Sequence, residues 1–257
     1  MSIPPISRAL PSLCLAAAFL AAWQGYCTWA HVSPLILPAP SDVALGLWIN
    51  RAVLGSHAAA TLSVAAIGFT LSVCFAFTTS VMLHFVPWLR RGLFPLLVAS
   101  QTVPIVALAP LMVLWFGFGL LPKVLLVILV TFFPVLVSLL AGYARVPQAY
   151  LDQLASMGAG RGQLFRRAAL PIARPHFFSG LRISATYAIV ATIFAEYAGA
   201  RQGLGIYILT AKNNFRADLV LAAVVLSATL TLLLLGLLHM IDHATGRRYR
   251  RAVDVAD

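Results

Sequence analysis

A chain of 257 residues with 61% hydrophobic and only 10% charged residues has the composition of an integral membrane protein, because soluble domains carry about 25% charged residues. Its formal net charge of +11 comes from basic residues that lie in short segments between apolar blocks, which argues against nucleic-acid binding. The three cysteines lie in or beside apolar blocks and form no CxxC pair, so they indicate no redox or metal site.

Six apolar segments are predicted to cross the membrane, since about 20 mostly apolar residues span a bilayer. They lie at 10–30, 58–85, 93–117, 124–143, 177–198 and 219–241. The first begins like a signal peptide but lacks a clear small-residue cleavage site, so we expect a retained helix. The predicted fold class is an all-α integral membrane protein with six transmembrane helices. Because no internal repeat or linker is evident, residues 1–257 are predicted to form a single transmembrane domain.

Two further elements are predicted around the second and third spans. Ser41–Asp42 can cap a short helix that runs to Leu54 and lies on the membrane surface. The third span carries three prolines, Pro95, Pro104 and Pro110. Each proline frees a carbonyl and bends the helix, and neighbouring helices can satisfy the freed groups. We therefore expect the third span to be central.

The distribution of basic residues predicts the orientation of the chain. With the N-terminus inside, the cytoplasmic side collects thirteen of the eighteen Lys and Arg residues, and the positive-inside rule favours this arrangement. Both termini, and the loop between spans four and five, are then cytoplasmic. The thirteen are Arg8, Arg90, Arg91, Arg145, Arg161, Arg166, Arg167, Arg174, Arg182, Arg247, Arg248, Arg250 and Arg251.

The loop at 147–175 is the longest polar interruption between the apolar blocks. Its first helix is predicted to begin at Pro147 and to stop at Gly158, since helix stops favour a residue that tolerates positive φ. A second helix is predicted over 163–169, and Leu170–Pro171 is expected to end it. The first helix places three apolar residues on one face: Leu151, Leu154 and Ala155.

No constellation for catalysis or metal binding is evident. The two lysines, Lys123 and Lys212, follow Pro and Ala, so neither completes a P-loop, and any ATP must act on another chain. His239 and His243 have the i, i+4 spacing of a zinc pair, but no third ligand is suggested. We therefore assign no catalytic residue, no metal and no cofactor to this chain.

Two ionisable residues interrupt the fifth span. Glu196 is the only glutamate, and a carboxylate at the centre of a span costs about 2.5–3.5 kcal/mol, so it should face a cavity, a partner or water. Either it lies at the outer end of a substrate path or it is solvated at the outer interface. Arg182, near the inner end, is expected to extend to the cytoplasmic surface.

The loop resembles the cytoplasmic signature of binding-protein-dependent ABC import permeases, which is written E-A-A-x-x-x-G, nine further residues, then I-x-L-P. Gly158, Leu170–Pro171 and all the spacings match. Residues 152–154 read D-Q-L in place of E-A-A, and Ala168 replaces the isoleucine. The resemblance implies a coupling helix that contacts an ATPase through Leu151, Asp152, Leu154, Ala155, Gly158, Leu170 and Pro171.

Other segments are similar to permeases of the nitrate, sulfonate and taurine importer family. These segments are 37–40, 57–69, 101–117 and 195–205. The resemblance implies a six-helix subunit that pairs with a second copy, a dimeric ATP-binding cassette ATPase holding ATP and Mg²⁺, and a periplasmic substrate-binding protein, all at the bacterial inner membrane. It also suggests a substrate path along Gln101, Pro104 and Glu196.

The substrate is predicted from two shorter segments. Residues 177–190 and 211–215 look most like the branch that imports thiamine pyrimidine precursors of the hydroxymethylpyrimidine type. Sulfonate, taurine and nitrate permeases are close relatives, and residue patterns do not separate them. A self-sufficient secondary transporter is the rival class, although such carriers usually keep more ionisable residues within their spans and show internal repeats.

Overall fold

The computed structural model describes residues 5–253, with side chains described from 11 to 246. Arg8 and the four arginines of the C-terminal tail lie outside the described side chains. Every regular element within the described range is helical. The helices are α1 (Pro5–Trp29), α2 (Pro40–Ile49), α3 (Arg51–Phe85), α4 (Pro87–Ser100), α5 (Ile105–Phe116), α6 (Leu120–Tyr143), α7 (Gln148–Ser156), α8 (Arg161–Leu164), α9 (Leu170–Tyr197), α10 (Leu204–Asn213) and α11 (Ala217–Val253), with a π-helical turn at Phe165–Ala169.

Four helical segments in the described chain are long and apolar enough to cross a membrane. They are α3, α6, the continuous stretch Arg161–Tyr197 that contains α9, and Ala217–Gly246 of α11. The bent pair α4 and α5 makes a fifth if the two helices together form one span. The predicted first span coincides with α1, a helix of 25 residues.

The core forms where α6 packs between α3 and α9, with Leu136 and Leu139 fully buried in the α6 face. Glycines let α6 and α9 approach closely. A Cβ on Gly142 would lie 2.7 Å from the Cα of Ala173, and a Cβ on Gly180 would lie 2.8 Å from the Cβ of Ser138. Such small-residue contacts are how membrane helices pack in the absence of a hydrophobic driving force.

The third predicted span is not one kinked helix, nor is it central in this chain. It consists of α4 and α5, which meet at 100°. Pro104 lacks an N–H and adopts an extended conformation (φ −63°, ψ 124°), so the helix stops at Ser100 and restarts at Ile105. No residue of α4 is buried, and α6 takes the central position instead.

One helix boundary and one additional helix also differ from the sequence prediction. The surface helix ends at Ile49 rather than Leu54, because Asn50 leaves helical geometry (φ −97°, ψ 14°) before α3 begins. The segment between the fifth and sixth predicted spans contains a further helix, α10, which the apolar pattern does not predict. Gly203, with φ +137°, marks its start, and this glycine was the available signal.

Candidate functional site

The first half of the loop at 147–175 forms as predicted, with α7 beginning after Pro147 and ending before a left-handed glycine. Gly158 has φ +83°. Its N–H donates to the Ala155 carbonyl at 2.9 Å, and the next N–H, of Ala159, donates to the Leu154 carbonyl at 3.0 Å. This pair of bonds is the Schellman arrangement, which satisfies carbonyls at the end of a helix. Gly158 therefore fixes the direction in which the chain leaves α7.

The second half of the loop differs from the prediction, because Leu170–Pro171 does not end the helix. The chain continues from α8 through the π-helical turn into α9. In that turn the Leu170 N–H bonds to the Phe165 carbonyl, five residues back. The wider turn changes the hydrogen-bond pattern just before Pro171. Pro171 then lies in the first turn of α9, where a proline is tolerated because its N–H would have no partner within the helix.

The coupling residues predicted on α7 divide between two surroundings. Leu151 and Leu154 are half-buried, whereas Asp152 and Ala155 are exposed. Asp152 accepts a 2.9 Å hydrogen bond from Gln148 within the helix. Leu170 and Pro171 are half-buried at the start of α9.

Beneath α7 an aromatic cluster joins the loop to the ends of α3 and α6. Leu151 lines a cavity of about 140 Å³ there, together with His84, Tyr143 and Phe165. The Phe165 ring lies 5.1 Å from the His84 ring and 5.3 Å from the Tyr143 ring, measured between centroids. Phe165 could not be recognised from the sequence, because its partners lie on two other helices.

The break between α4 and α5 opens onto a cavity of about 590 Å³. Gln101 and Pro104, both predicted on the substrate path, line it, and Phe133 of α6 and Tyr187 of α9 contribute aromatic rings. Both rings lie near the middle of their helices, so the cavity sits about halfway along the core. Among the described residues that line it, none has a formal charge; the other polar side chains are Ser100 and Thr102.

Glu196, the third residue predicted on the substrate path, is not among the residues that line this cavity. Its side chain is fully buried at the end of α9. The Thr61 hydroxyl of α3 donates to the carboxylate, with oxygen separations of 2.9 and 3.0 Å, and the Gly205 N–H donates to Oε2 at 2.8 Å. Thr61 lies in the segment 57–69 already singled out in the sequence, but nothing there pointed to its partner.

A second cavity, of about 740 Å³, lies at the end of the core opposite α7. Lys123 and Arg201 line it together with Ser63 and Gln202. No carboxylate lies among the described lining residues, and no described salt bridge includes either cation. This cavity therefore offers positive charge, in contrast to the uncharged cavity at the α4–α5 break.

The ionisable residues near the other end of the core form a small cluster. Arg182 is 40% exposed and pairs with Asp242 of α11, so it does more than extend into solvent. Arg174 also contacts Asp242, at 3.5 Å. His239 and His243 stack with ring centroids 6.4 Å apart, and no group of three potential metal ligands occurs in the part of the chain described.

Comparison with known proteins identifies the family. Residues 68–247 match the model of the binding-protein-dependent transport system inner membrane component. The chain is 36% identical to a riboflavin transport system permease protein of Chloroflexus aurantiacus, over 86% of this chain and 83% of that protein. It is 34% identical to a formylaminopyrimidine transport permease protein of Halalkalibacterium halodurans, over 78% and 80% of the two chains. It is also 34% identical to a taurine transport system permease protein of Escherichia coli, over 91% and 88%.

The fold agrees with this assignment. A solved structure of the MetNI methionine ABC transporter, in an inward-facing conformation, matches with a TM-score of 0.58 at 18% identity, over 77% of this chain and 96% of that one. The chain is thus a multi-pass inner-membrane permease and not an enzyme, since ATP hydrolysis in such transporters occurs in a partner ATPase. It belongs to the binding-protein-dependent transport system inner membrane component family, the permease subunits of ABC importers.

Proposed function

We propose that this permease imports a thiamine pyrimidine precursor of the hydroxymethylpyrimidine type across the inner membrane. It works as one of two identical six-span subunits, with α1 as the first span and both termini in the cytoplasm. A periplasmic binding protein delivers the solute, and a dimeric ATPase with bound ATP and Mg²⁺ drives transport. The similarity to a formylaminopyrimidine permease supports this substrate class.

The uncharged cavity at the α4–α5 break is the observation that carries the proposal. Secondary transporters commonly place their solute sites at broken helices near the middle of the membrane, and we propose the same use of the α4–α5 break here. Gln101 offers an amide that can both donate and accept hydrogen bonds, which suits the ring nitrogens and amino group of a pyrimidine. Phe133 and Tyr187 offer aromatic faces, and aromatic rings stack favourably on one another. A neutral heteroaromatic solute fits this lining better than an anion does.

The experiment compares two substitutions of Gln101 in the reconstituted transporter. Gln101→Leu removes both hydrogen-bonding functions at similar size, whereas Gln101→Asn keeps them on a shorter side chain. We expect Gln101→Leu to lower uptake of hydroxymethylpyrimidine by about tenfold, because a solute group that loses its hydrogen-bond partner on binding costs about 1–3 kcal/mol. Gln101→Asn should retain most of the uptake. Equal rates for all three proteins would remove Gln101 from the path.

A sulfonate, taurine or nitrate importer is the second candidate. The cavity with Lys123 and Arg201 favours it, because two cations without a described carboxylate partner can attract an anion or a sulfonate group. Taurine permease similarity supports the same class. Ligand binding by the cognate binding protein separates the two candidates: pyrimidine binding supports the first, and binding of taurine, alkanesulfonates or nitrate supports the second.

The ATPase contact is proposed to be the loop at 147–175. α7 exposes Asp152 and Ala155, which a soluble partner can contact. Leu151 faces the aromatic cluster and helps to hold α7 in place, while Leu154 is half-buried. Gly158, with Leu170 and Pro171 at the start of α9, sets the angle between α7 and the core.

A further inference from the structure

Three helices meet at one buried point at the end of the core opposite α7. Glu196 lies in the last turn of α9, Thr61 lies in α3, and Leu204 begins α10. The Thr61 hydroxyl donates to the Glu196 carboxylate and accepts the Leu204 N–H at 2.7 Å. The carboxylate accepts the Gly205 N–H at 2.8 Å. One carboxylate and one hydroxyl thus connect all three helices.

The hydrogen-bonding roles in this cluster are complementary. The first N–H groups of a helix have no partners within it, and the Thr61 oxygen and the Glu196 carboxylate accept two of them from α10. A negative charge is also favourable at the positive end of the helix dipole. Since Thr61 donates one hydrogen bond while accepting another, a side chain without a hydroxyl cannot replace it.

The backbone around the carboxylate is shaped to receive it. A Cβ on Gly203 would lie 2.2 Å from the Glu196 carboxylate, and Gly203 has φ +137°, a backbone angle that residues with a side chain rarely adopt. A Cβ on Gly205 would lie 2.4 Å from the Ile193 carbonyl oxygen. A second contact closes the same junction, where His57 Nδ1 lies 3.1 Å from the Gly203 nitrogen. Glu196 therefore fills a closed space between helices.

The Glu196 side chain does not line either of the two large cavities. Its side chain is fully buried, and it is absent from the described lining of both the cavity at the α4–α5 break and the cavity with Lys123 and Arg201. Thr61 and Gly205, which hydrogen-bond to the carboxylate, are also absent from the described lining of both cavities. This geometry fits a residue that positions helices and not one that binds solute.

We propose that Glu196 and Thr61 form a clamp that fixes α10 to α3 and α9, so that the outer ends of these helices move as one body during transport. α9 has 28 residues and is therefore about 42 Å long, which separates the clamp from the coupling loop by the full thickness of the core. In this role Glu196 is a positioning residue. The assignment of this end as the outer one rests on the proposed function, but the clamp itself does not.

The clamp is tested by measuring the position of α10 directly. Spin labels at Ser56 of α3 and Thr210 of α10, both exposed, report the separation of the two helices in a cysteine-free permease reconstituted with its ATPase in nanodiscs. Glu196→Gln and Thr61→Val should each broaden the distance distribution. Each should shift the ratio of docked to undocked α10 by roughly tenfold to a hundredfold, as expected for stranding a buried polar partner.

Three comparisons make the test specific. Thr61→Ser keeps the hydroxyl and should show the same narrow distance distribution as the unsubstituted protein. Thr61→Val keeps the shape of the side chain without the hydroxyl and should show the broadened distribution. The double variant Glu196→Gln with Thr61→Val should be no worse than the more affected single variant, because both disrupt the same junction. ATP-driven uptake should fall in parallel with the loss of docked α10.

Two outcomes would overturn the proposal. One is an unchanged distance distribution in Thr61→Val. The other is a Glu196→Gln protein that keeps the narrow distribution but loses uptake, which would return the carboxylate to the substrate path. The distance measurement needs no solute, so it is independent of whether the permease carries a pyrimidine.

Discussion

The ring of Phe165, in the π-helical turn, packs edge-on against the ring of Tyr143 at the end of α6, with centroids 5.3 Å apart and an interplanar angle of 67°. Tyr143 is buried and its hydroxyl lies 3.0 Å from that of Ser80 in α3. Phe165 therefore links the loop directly to α6 and, through the Tyr143 hydroxyl, to α3.

Replacing Phe165 by alanine should weaken this connection. Truncating a buried phenylalanine costs about 3–5 kcal/mol, and Phe165 is 8% exposed. We expect Phe165→Ala to lower the thermal stability of the detergent-solubilised permease and to reduce uptake per ATP hydrolysed, while the ATPase still co-purifies. Phe165→Leu retains most of the apolar volume and is the matched control. Full coupling in Phe165→Ala would show that the aromatic cluster does not transmit motion.

Gly158→Val should impair the loop through its backbone. Nothing lies within 4 Å of a Cβ at this position, so the penalty comes from φ +83° and not from a clash. A valine held there costs about 1–3 kcal/mol, whereas asparagine tolerates the left-handed region. We expect Gly158→Val to insert normally but to lose ATPase association or coupled transport, and Gly158→Asn to stay close to the unsubstituted protein.

The measurement is co-purification of the ATPase, followed by uptake and ATP hydrolysis in vesicles. If Gly158→Val kept both partner binding and full coupling, the loop would be a simple connector between α6 and α9.

Several parts of the fold could be predicted from residues close in sequence. The end of α7 at Gly158 and the fourth apolar span, α6, are both confirmed. Each was predicted from a local signal: a glycine after the last periodic residue in one case, and a continuous apolar run in the other. The break between α4 and α5 was not predicted, because the sequence stays apolar across both helices and hydropathy says nothing about the angle between them. The helix α10 was not predicted, because the segment between the fifth and sixth spans is short and begins with three glycines within seven residues, Gly199, Gly203 and Gly205.

The surroundings of Glu196 could not be predicted for a different reason. Its hydrogen-bond partner Thr61 lies 135 residues away in the chain, and a sequence pattern cannot place two such residues in contact. Arg182 and Asp242 are separated by 60 residues and present the same difficulty. Local signals predict where helices begin and end, while pairings between distant helices require the packed core.

The proposed topology predicts which loops reach the cytoplasm. In a cysteine-free background, a single cysteine at the exposed position Gly160 should be protected from an impermeant thiol reagent in intact cells, because its loop is inside. A cysteine at the exposed Asn213, the last residue of α10, should be labelled. Permeabilised cells, in which both positions should react, provide the control. Labelling at position 160 in intact cells would reverse the orientation.

The most direct test of the proposed import function is solute uptake by the complete transporter. The permease, its ATPase and its binding protein are reconstituted in vesicles, and ATP-dependent uptake of radiolabelled hydroxymethylpyrimidine is measured against taurine and nitrate. We predict uptake of the pyrimidine that requires both ATP and the binding protein and is not inhibited by excess taurine or nitrate. ATP-dependent uptake of taurine or nitrate without pyrimidine uptake would contradict the proposed substrate.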